Sequence, residues 1–309
     1  MKKVIITGGS GFLGTQIIKK LLDLGGYEIV VMDLHPSRIN DEQISFFEKN
    51  LSEPFNKDDA DYSLLEDPHA YIHLAGKNIF GRFTKEHKQG IWDSRVNGSR
   101  HLVEFISQER YKPERLVAAS AVGWYGDQPG EVLVESSERK NYYFLSEVVE
   151  AWEDEVLRAQ ASGIQTTCIR NGHIIGRGGI LKEVANTFKL KVGGILGNGD
   201  DYFPWIDIRD LVHLYVRALT QDTPPIINGV STTSTTQKQF SSAIGAVKKA
   251  WFYVTVKQWM LRIVYGDFAQ EMLVNQHVQS EHHKDITFLP KHTDLREVVH
   301  YYLSDNSII

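Results

Sequence analysis

The sequence predicts an α/β protein built on a doubly wound, mainly parallel sheet with a smaller C-terminal α/β lobe. Three observations carry that expectation. Up to about residue 230, short apolar runs alternate with longer amphipathic stretches: KVIIT (3–7), EIVVMD (28–33), YIHLAG (71–76), RLVAAS (115–120) and IQTTCIR (164–170). Strands spaced by helix-length segments are the pattern of βαβ units, whose crossover helices cover both faces of a parallel sheet. These runs also lack a polar alternate, as strands buried on both faces require. Finally, the first run passes directly into TGGSGFLGTQIIKKLL, a glycine-rich turn between a strand and a helix.

Composition sets the outer bounds. The chain has 309 residues, 42% hydrophobic and 24% charged, enough for one large core or two smaller ones. Its net charge is -5, and no block of five like charges occurs, so neither nucleic acid nor a membrane is expected as a partner. The first apolar run is far shorter than a signal or spanning segment, and a cytoplasmic protein is expected. Cys168 is the only cysteine, which excludes an internal disulfide and thiolate zinc, and its setting in IQTTCIR reads as a small buried residue.

Residues 1–176 are expected to form the dinucleotide-binding domain, with 203–230 returning to it. Residues 177–309 mainly form the lobe. There the pattern loosens into glycine-rich GRGGI and GGILGNGDD, a strand-like IINGVS, and helices around 236–249, 257–275 and 293–303. A lobe of this kind lies over the carboxyl ends of the strands, where such sheets bind ligands.

The glycine loop gives the first chemistry. Gly8, Gly11 and Gly14 form G-x-x-G-x-x-G, and Asp33 ends the next strand 19 residues after Gly14. Gly8 suits the tight turn, Gly11 lets the backbone approach a pyrophosphate, and Gly14 lets helix and strand pack closely. The phosphates then lie at the helix N-terminus, the arrangement of a Rossmann-type sheet. Asp33 is able to accept from both adenosine ribose hydroxyls, a charge-assisted interaction of roughly 1.5–3 kcal/mol, whereas a 2′-phosphate meets a like charge. NAD is therefore the expected cofactor. Arg38 is either a solvated loop residue or a group that reaches a 2′-phosphate, which leaves NADP open.

With these motifs in place, the sequence resembles an extended short-chain dehydrogenase/reductase of the NAD-dependent epimerase/dehydratase superfamily. TGGSGFLG, HLAG (73–76), VNGSRHLVE (96–104), ASAVGWYG (119–126) and FPWIDIRDLV (203–212) follow its landmarks in order. More narrowly it is similar to an atypical bacterial and mitochondrial branch, called nucleoside-diphosphate sugar epimerase-like. AGKNI (75–79), DSRVNGS (93–99), EAWEDE (150–155), IRNGHIIGRGG (169–179) and GGILGNG (193–199) are its marks, and QHVQSEHHKDITF (276–288) matches its C-terminal segment more loosely.

The resemblance implies that Gly8, Gly11, Phe12, Leu13 and Gly14 line the pyrophosphate and that Asp33 and Leu34 meet the adenosine. Leu74, Ala75 and Gly76 would sit at the strand end beside the cofactor. Arg95 stands where the wider superfamily has asparagine and is similar to a cofactor-contacting arginine, and Ile174 would meet the nicotinamide side through its backbone. Lys77 replaces an acid common in the branch, and Asp207 a histidine. A homodimer through helices near 94–108 and 143–160 is the superfamily's mode.

The superfamily's serine, tyrosine and lysine are only partly present. Ser120 matches the serine at a strand end. No Tyr-x-x-x-Lys occurs: Tyr143 is followed four residues later by Glu147, Phe144 by Val148, and Tyr142 by Ser146. An unassisted tyrosine is only about one part in a thousand ionised at pH 7, which costs a tyrosinate base roughly 4 kcal/mol. Ser120, Tyr143 and Tyr125 are the catalytic candidates, with tyrosine acting as a neutral donor. Tyr125 either borders the pocket or packs in a turn.

Phe144, Val148, Trp152 and Val156 recur at i, i+4, joined by Leu145 and Val149, a stripe for the core or a subunit interface. Helical spacing leans Tyr142 toward that stripe as a packing residue. His173 reads as structural, and the adjacent His282 and His283 cannot share one helical face, so no metal site is expected. The readings are an NAD(P)-dependent oxidoreductase or epimerase acting by hydride transfer on a small polar or nucleotide-linked molecule, or a non-catalytic dinucleotide-binding redox sensor or scaffold.

Overall fold

The computed structural model describes residues 1–56 and 61–304, with the Lys189 side chain outside that description. The first half of the chain forms β1 (Lys2–Thr7), α1 (Phe12–Leu24), β2 (Tyr27–Asp33), β3 (Ile44–Glu48), β4 (Ala70–His73), α2 (Lys85–Trp92), α3 (Gly98–Ile106), β5 (Arg115–Ala121), β6 (Val132–Leu133) and α4 (Phe144–Leu157). It continues through β7 (Gln165–Asn171), β8 (His173–Ile175), α5 (Gly179–Thr187), β9 (Val192–Leu196), β10 (Trp205–Asp207), α6 (Ile208–Thr220) and β11 (Ile226–Gly229). The remaining elements are α7 (Gln237–Lys248), β12 (Phe252–Val256), α8 (Gln258–Tyr265), α9 (Phe268–Glu271), β13 (His277–Val278) and α10 (Leu295–Ser304).

A seven-stranded parallel sheet runs in the order β3-β2-β1-β4-β5-β7-β11, with the strand order reversing between β1 and β4. A ligand crevice opens at the carboxyl ends of strands flanking such a reversal. Ile17, Ile18 and Leu21 of α1 join Leu211, Leu214 and Tyr215 of α6 over one face of the sheet. Leu102, Val103 and Ile106 of α3 join Val148, Trp152 and Val156 of α4 over the other. Each strand is therefore apolar on both sides. Cys168 is buried as expected.

In the seven-stranded sheet the strand that sequence reading missed is β3, ISFFE. It is an edge strand, paired only with β2 and half-buried through Ile44, Ser45, Phe46 and Phe47. The lobe is built from the parallel pairs β9/β12, β8/β10 and β6/β13, and Phe203, Trp205, Phe240, Ile244, Val298 and Val299 fill its core. The single helix expected over 257–275 is two, broken at Gly266, whose φ of +62° ends α8. Among the described residues no helix is long and apolar enough to cross a membrane.

Candidate functional site

The glycine loop is shaped by close backbone approaches. Gly8 has φ +69°, and a Cβ there would lie 2.7 Å from the Ala75 nitrogen, while one at Gly14 would lie 2.6 Å from the Gly8 oxygen. Both positions therefore exclude any larger residue. Gly11 is the residue preceding α1; no side chain caps that helix, and its first turn has no acid. The amides that an N-cap side chain normally satisfies stay available to a phosphate, and the helix dipole favours one.

Asp33 completes this end of the crevice. Its two carboxylate oxygens accept from the backbone amides of Ser10 at 3.0 Å and Leu34 at 2.7 Å, so the loop and the end of β2 share one anchor. Each oxygen retains a lone pair for a ribose hydroxyl. Leu34 and Arg38, one and five residues further along the chain, are exposed. Phe12 turns its ring onto the turn after β8, where a Cβ at Gly176 would meet it at 2.7 Å, so the glycine loop lies against the segment that follows Ile174.

Across the strand reversal, Thr7 ends β1 and His73 ends β4. The Thr7 hydroxyl accepts from the amides of Leu74 and Ala75 at 3.2 and 3.3 Å, which leaves its proton for His73 Nδ1 at 2.6 Å. His73 Nε2 then donates to Ser99 Oγ at 2.9 Å. Burial, aided by the Arg95 charge, lowers the His73 pKa to about 4 and keeps the ring neutral. Sequence reading passed over this chain of contacts, although polar Thr7 and His73 in otherwise apolar strands were its visible sign.

Arg95 lies in a wide π-helical turn, Asp93–Asn97, between α2 and α3. The turn aims its guanidinium at the segment after β4, where it donates to the Lys77 oxygen at 2.9 Å and would sit 3.1 Å from a Cβ on Gly76. The Asp93 carboxylate, in the same turn, accepts from Gln89 and Asn97 instead of pairing with Arg95. Burial lowers the Arg95 pKa to about 10, still charged at neutrality. Gly8 and Gly11 lie in the turn after β1, Phe12, Leu13 and Gly14 in the first turn of α1, Asp33 and Leu34 at the end of β2, Leu74, Ala75 and Gly76 just after β4, and Ile174 within β8, while Arg95 reaches the segment after β4 from its helix.

The catalytic candidates are differently placed. Ser120 is buried at the end of β5 and donates its hydroxyl proton to Glu153 of α4. Arg170 of β7 grips Glu153 with Nε and Nη2 at 2.9 and 2.8 Å, and its guanidinium lies 3.6 Å from the Trp124 ring centroid. Tyr125 is fully buried, with its hydroxyl donating to Asn228 at 2.9 Å. Burial pushes its pKa up to about 12. Tyr143 is half-buried just ahead of α4, outside the Ser120 network, its amide donating to Ser146 Oγ at 2.7 Å.

One other expectation changes. Tyr142 is exposed and lies under the Arg139 guanidinium at 4.1 Å. Helical spacing does not apply to it because α4 begins at Phe144. The Phe144 stripe packs into the chain's own core through Val148, Trp152 and Val156, with Phe144 and Leu145 partly buried at its edge. His173 stacks on Phe203 at 4.2 Å, with burial lowering its pKa to about 4. Among the described residues no group of His, Cys, Asp or Glu is arranged to hold a metal.

The sheet order, the uncapped helix after a glycine loop and the acid ending β2 define a Rossmann-type dinucleotide-binding protein. The chain belongs to the NAD dependent epimerase/dehydratase family, whose sequence model matches residues 4–228. It is 30% identical over 269 residues to the epimerase family protein YfhF of Bacillus subtilis, covering 86% of each chain. The mouse epimerase family protein SDR39U1 is 29% identical over 284 residues, 89% of this chain and 91% of its own. In fold, the chain matches human SDR39U1, crystallised with NADPH, at a TM-score of 0.81 and 23% identity over 98% of this chain and 99% of that one. A nucleoside-diphosphate sugar epimerase from Corynebacterium glutamicum matches with a TM-score of 0.75 and 26% identity, over 98% of this chain and 58% of its own.

Proposed function

We propose that the protein is a cytoplasmic oxidoreductase or epimerase that binds NAD(H) in preference to NADP(H) and acts on a small polar or nucleotide-linked substrate. The observation that carries this reading is Asp33, held by two backbone amides beside an uncapped helix N-terminus. The human neighbour was crystallised with NADPH, so the preference for NAD rests on Asp33 of this chain. The amides around Gly11, Phe12 and Leu13 hold the pyrophosphate, Asp33 the adenosine ribose, and Arg95 with the Leu74–Gly76 backbone the far half. Bound there, the nicotinamide supplies a hydride acceptor or donor for a carbinol or ketone carbon.

The protein's part is to hold and orient. Because Ser120 gives its proton to Glu153, its remaining lone pair accepts from a substrate hydroxyl rather than donating to a carbonyl. Tyr143 supplies a neutral hydrogen bond at the start of α4. With Glu147 four residues beyond it, no lysine tunes a base, and the carbinol proton leaves to water. Turnover by the purified protein of NADH or NADPH with a panel of carbonyls, alcohols and nucleotide sugars is the expected result.

A second reading, a non-catalytic redox sensor or scaffold, is favoured by the commitment of both the Ser120 and Tyr125 hydroxyls to protein acceptors. Tight NAD(H) binding without turnover across that panel, with a partner protein whose affinity follows the NADH/NAD ratio, would select it.

A further inference from the structure

The lobe carries an exposed apolar surface that the dinucleotide site does not use. In α8, Leu261 is buried while Trp259, Ile263 and Val264 are 61%, 65% and 60% exposed. Just before β12, Trp251 is 79% exposed. Phe252 and Val254 are exposed on one face of the β9/β12 pair, while Tyr253 turns the other way and fills the space above Gly193 and Gly245. Single exposed apolar residues are ordinary, whereas three large ones on one two-turn helix that directly follows an aromatic strand in the chain require a reason.

Charge supplies it. Residues 223–266 contain Lys238, Lys248, Lys249, Lys257 and Arg262 and no Asp or Glu, in a chain of net charge -5, which leaves -10 on the rest. Arg82 adds a cation at the end of α8, donating to the Ile263 oxygen at 3.1 Å, and the Lys191 ammonium lies 5.7 Å from the Trp251 ring. Among the described residues none of Lys191, Lys248, Lys249, Lys257, Arg262 or Arg82 has an ion-pair partner; Lys88, which faces Asp267, is the nearby exception.

We propose that this face is a peripheral docking surface for an anionic phospholipid bilayer. Tryptophan and aliphatic side chains interleaved with free lysine and arginine suit the headgroup boundary, where rings and methyls enter the acyl edge and cations meet lipid phosphates. Each cation near such a surface raises partitioning about fivefold. A symmetric dimer through this face would instead set the free cations of one copy against those of the other, with no acid in the segment to relieve them. A nucleic acid would use the cations and rings but leave Ile263 and Val264 in water. The expectation of no membrane partner came from whole-chain charge, which conceals this one basic segment, 223–266, in an acidic chain.

The test is co-sedimentation of the full chain with phosphatidylcholine vesicles and with phosphatidylcholine/phosphatidylglycerol vesicles. Binding is expected only to the anionic vesicles and weakens with added salt. Trp259→Ser/Ile263→Ser and Lys257→Glu/Arg262→Glu should each reduce it more than about tenfold while NADH binding, read by fluorescence, stays at the parent's affinity and shows both variants folded. Failure to sediment with anionic vesicles, equal binding to neutral ones, a dimer abolished by the same variants, or displacement from vesicles by an oligonucleotide would each overturn the proposal.

Discussion

Ser120 donates to Glu153, and Glu153 is held on both oxygens by Arg170, so the serine that ends β5 is tied into a buried ion pair. Glu153 and Arg170 are almost wholly buried, and Arg170 Nη1 has no partner of its own. Glu153→Ala would strand a buried guanidinium and should cost about 3–5 kcal/mol in urea unfolding. Ser120→Ala removes one hydrogen bond to a charged acceptor and should cost about 1.5–3 kcal/mol. Because the two share the contact, the double variant should fall short of the sum by about 1 kcal/mol or more. Strict additivity would show that the hydroxyl does not act through Glu153.

Asp33 should decide which dinucleotide binds. Asp33→Ala removes a charge-assisted acceptor, so the NADH dissociation constant should rise by about tenfold to a hundredfold. The same change removes a like charge facing a 2′-phosphate, so NADPH should bind as tightly as before or more tightly. Fluorescence titration of both dinucleotides reads the two effects separately. An equal loss for NADH and NADPH would mean that the variant disturbs the loop through Ser10 and Leu34 and that Asp33 does not discriminate.

The shape of this half of the candidate site was legible in the sequence because its signals are local. A glycine with φ +69° against a neighbouring strand, an apolar strand ending in an acid, and a helix start without a capping residue each occupy a few adjacent residues. The other half depends on contacts distant in the chain. Tyr125 and Asn228 are 103 residues apart, and Ser120 and Glu153 are 33 apart. The Phe144 stripe was plain from its period, but its burial against α3 and the sheet follows from tertiary packing. No residue pattern announced that Arg95 occupies a π turn, the local widening that directs it to Lys77. The edge strand β3 was obscured for a similar reason: bonded on one side only, it need not be uniformly apolar.

The lobe is tied to α4 by a titrating group. Glu271, in α9, accepts from the Leu145 amide at 3.0 Å, and burial pushes its carboxyl up to about 7, against the pull of Lys88 and with a contribution from Glu147. The unfolded carboxyl titrates near 4.5, so between that value and about 7 the folded protein binds more protons than the unfolded chain. The stabilisation from protonated Glu271 is complete below 4.5 and is lost as pH rises through 7, a swing of about 3 kcal/mol at most. Glu271→Gln keeps an acceptor for Leu145 and cannot ionise. Relative to the parent it should be nearly neutral at pH 4.5 and more stable by about 2 kcal/mol at pH 8, measured by urea unfolding of both proteins at each pH. Taking the difference between the two cancels the opposite contribution of His73 and His173, whose lowered pKa values make acid destabilising. A difference that stays constant across this range would show that Glu271 is ionised throughout and that its contact with α4 does not sense pH.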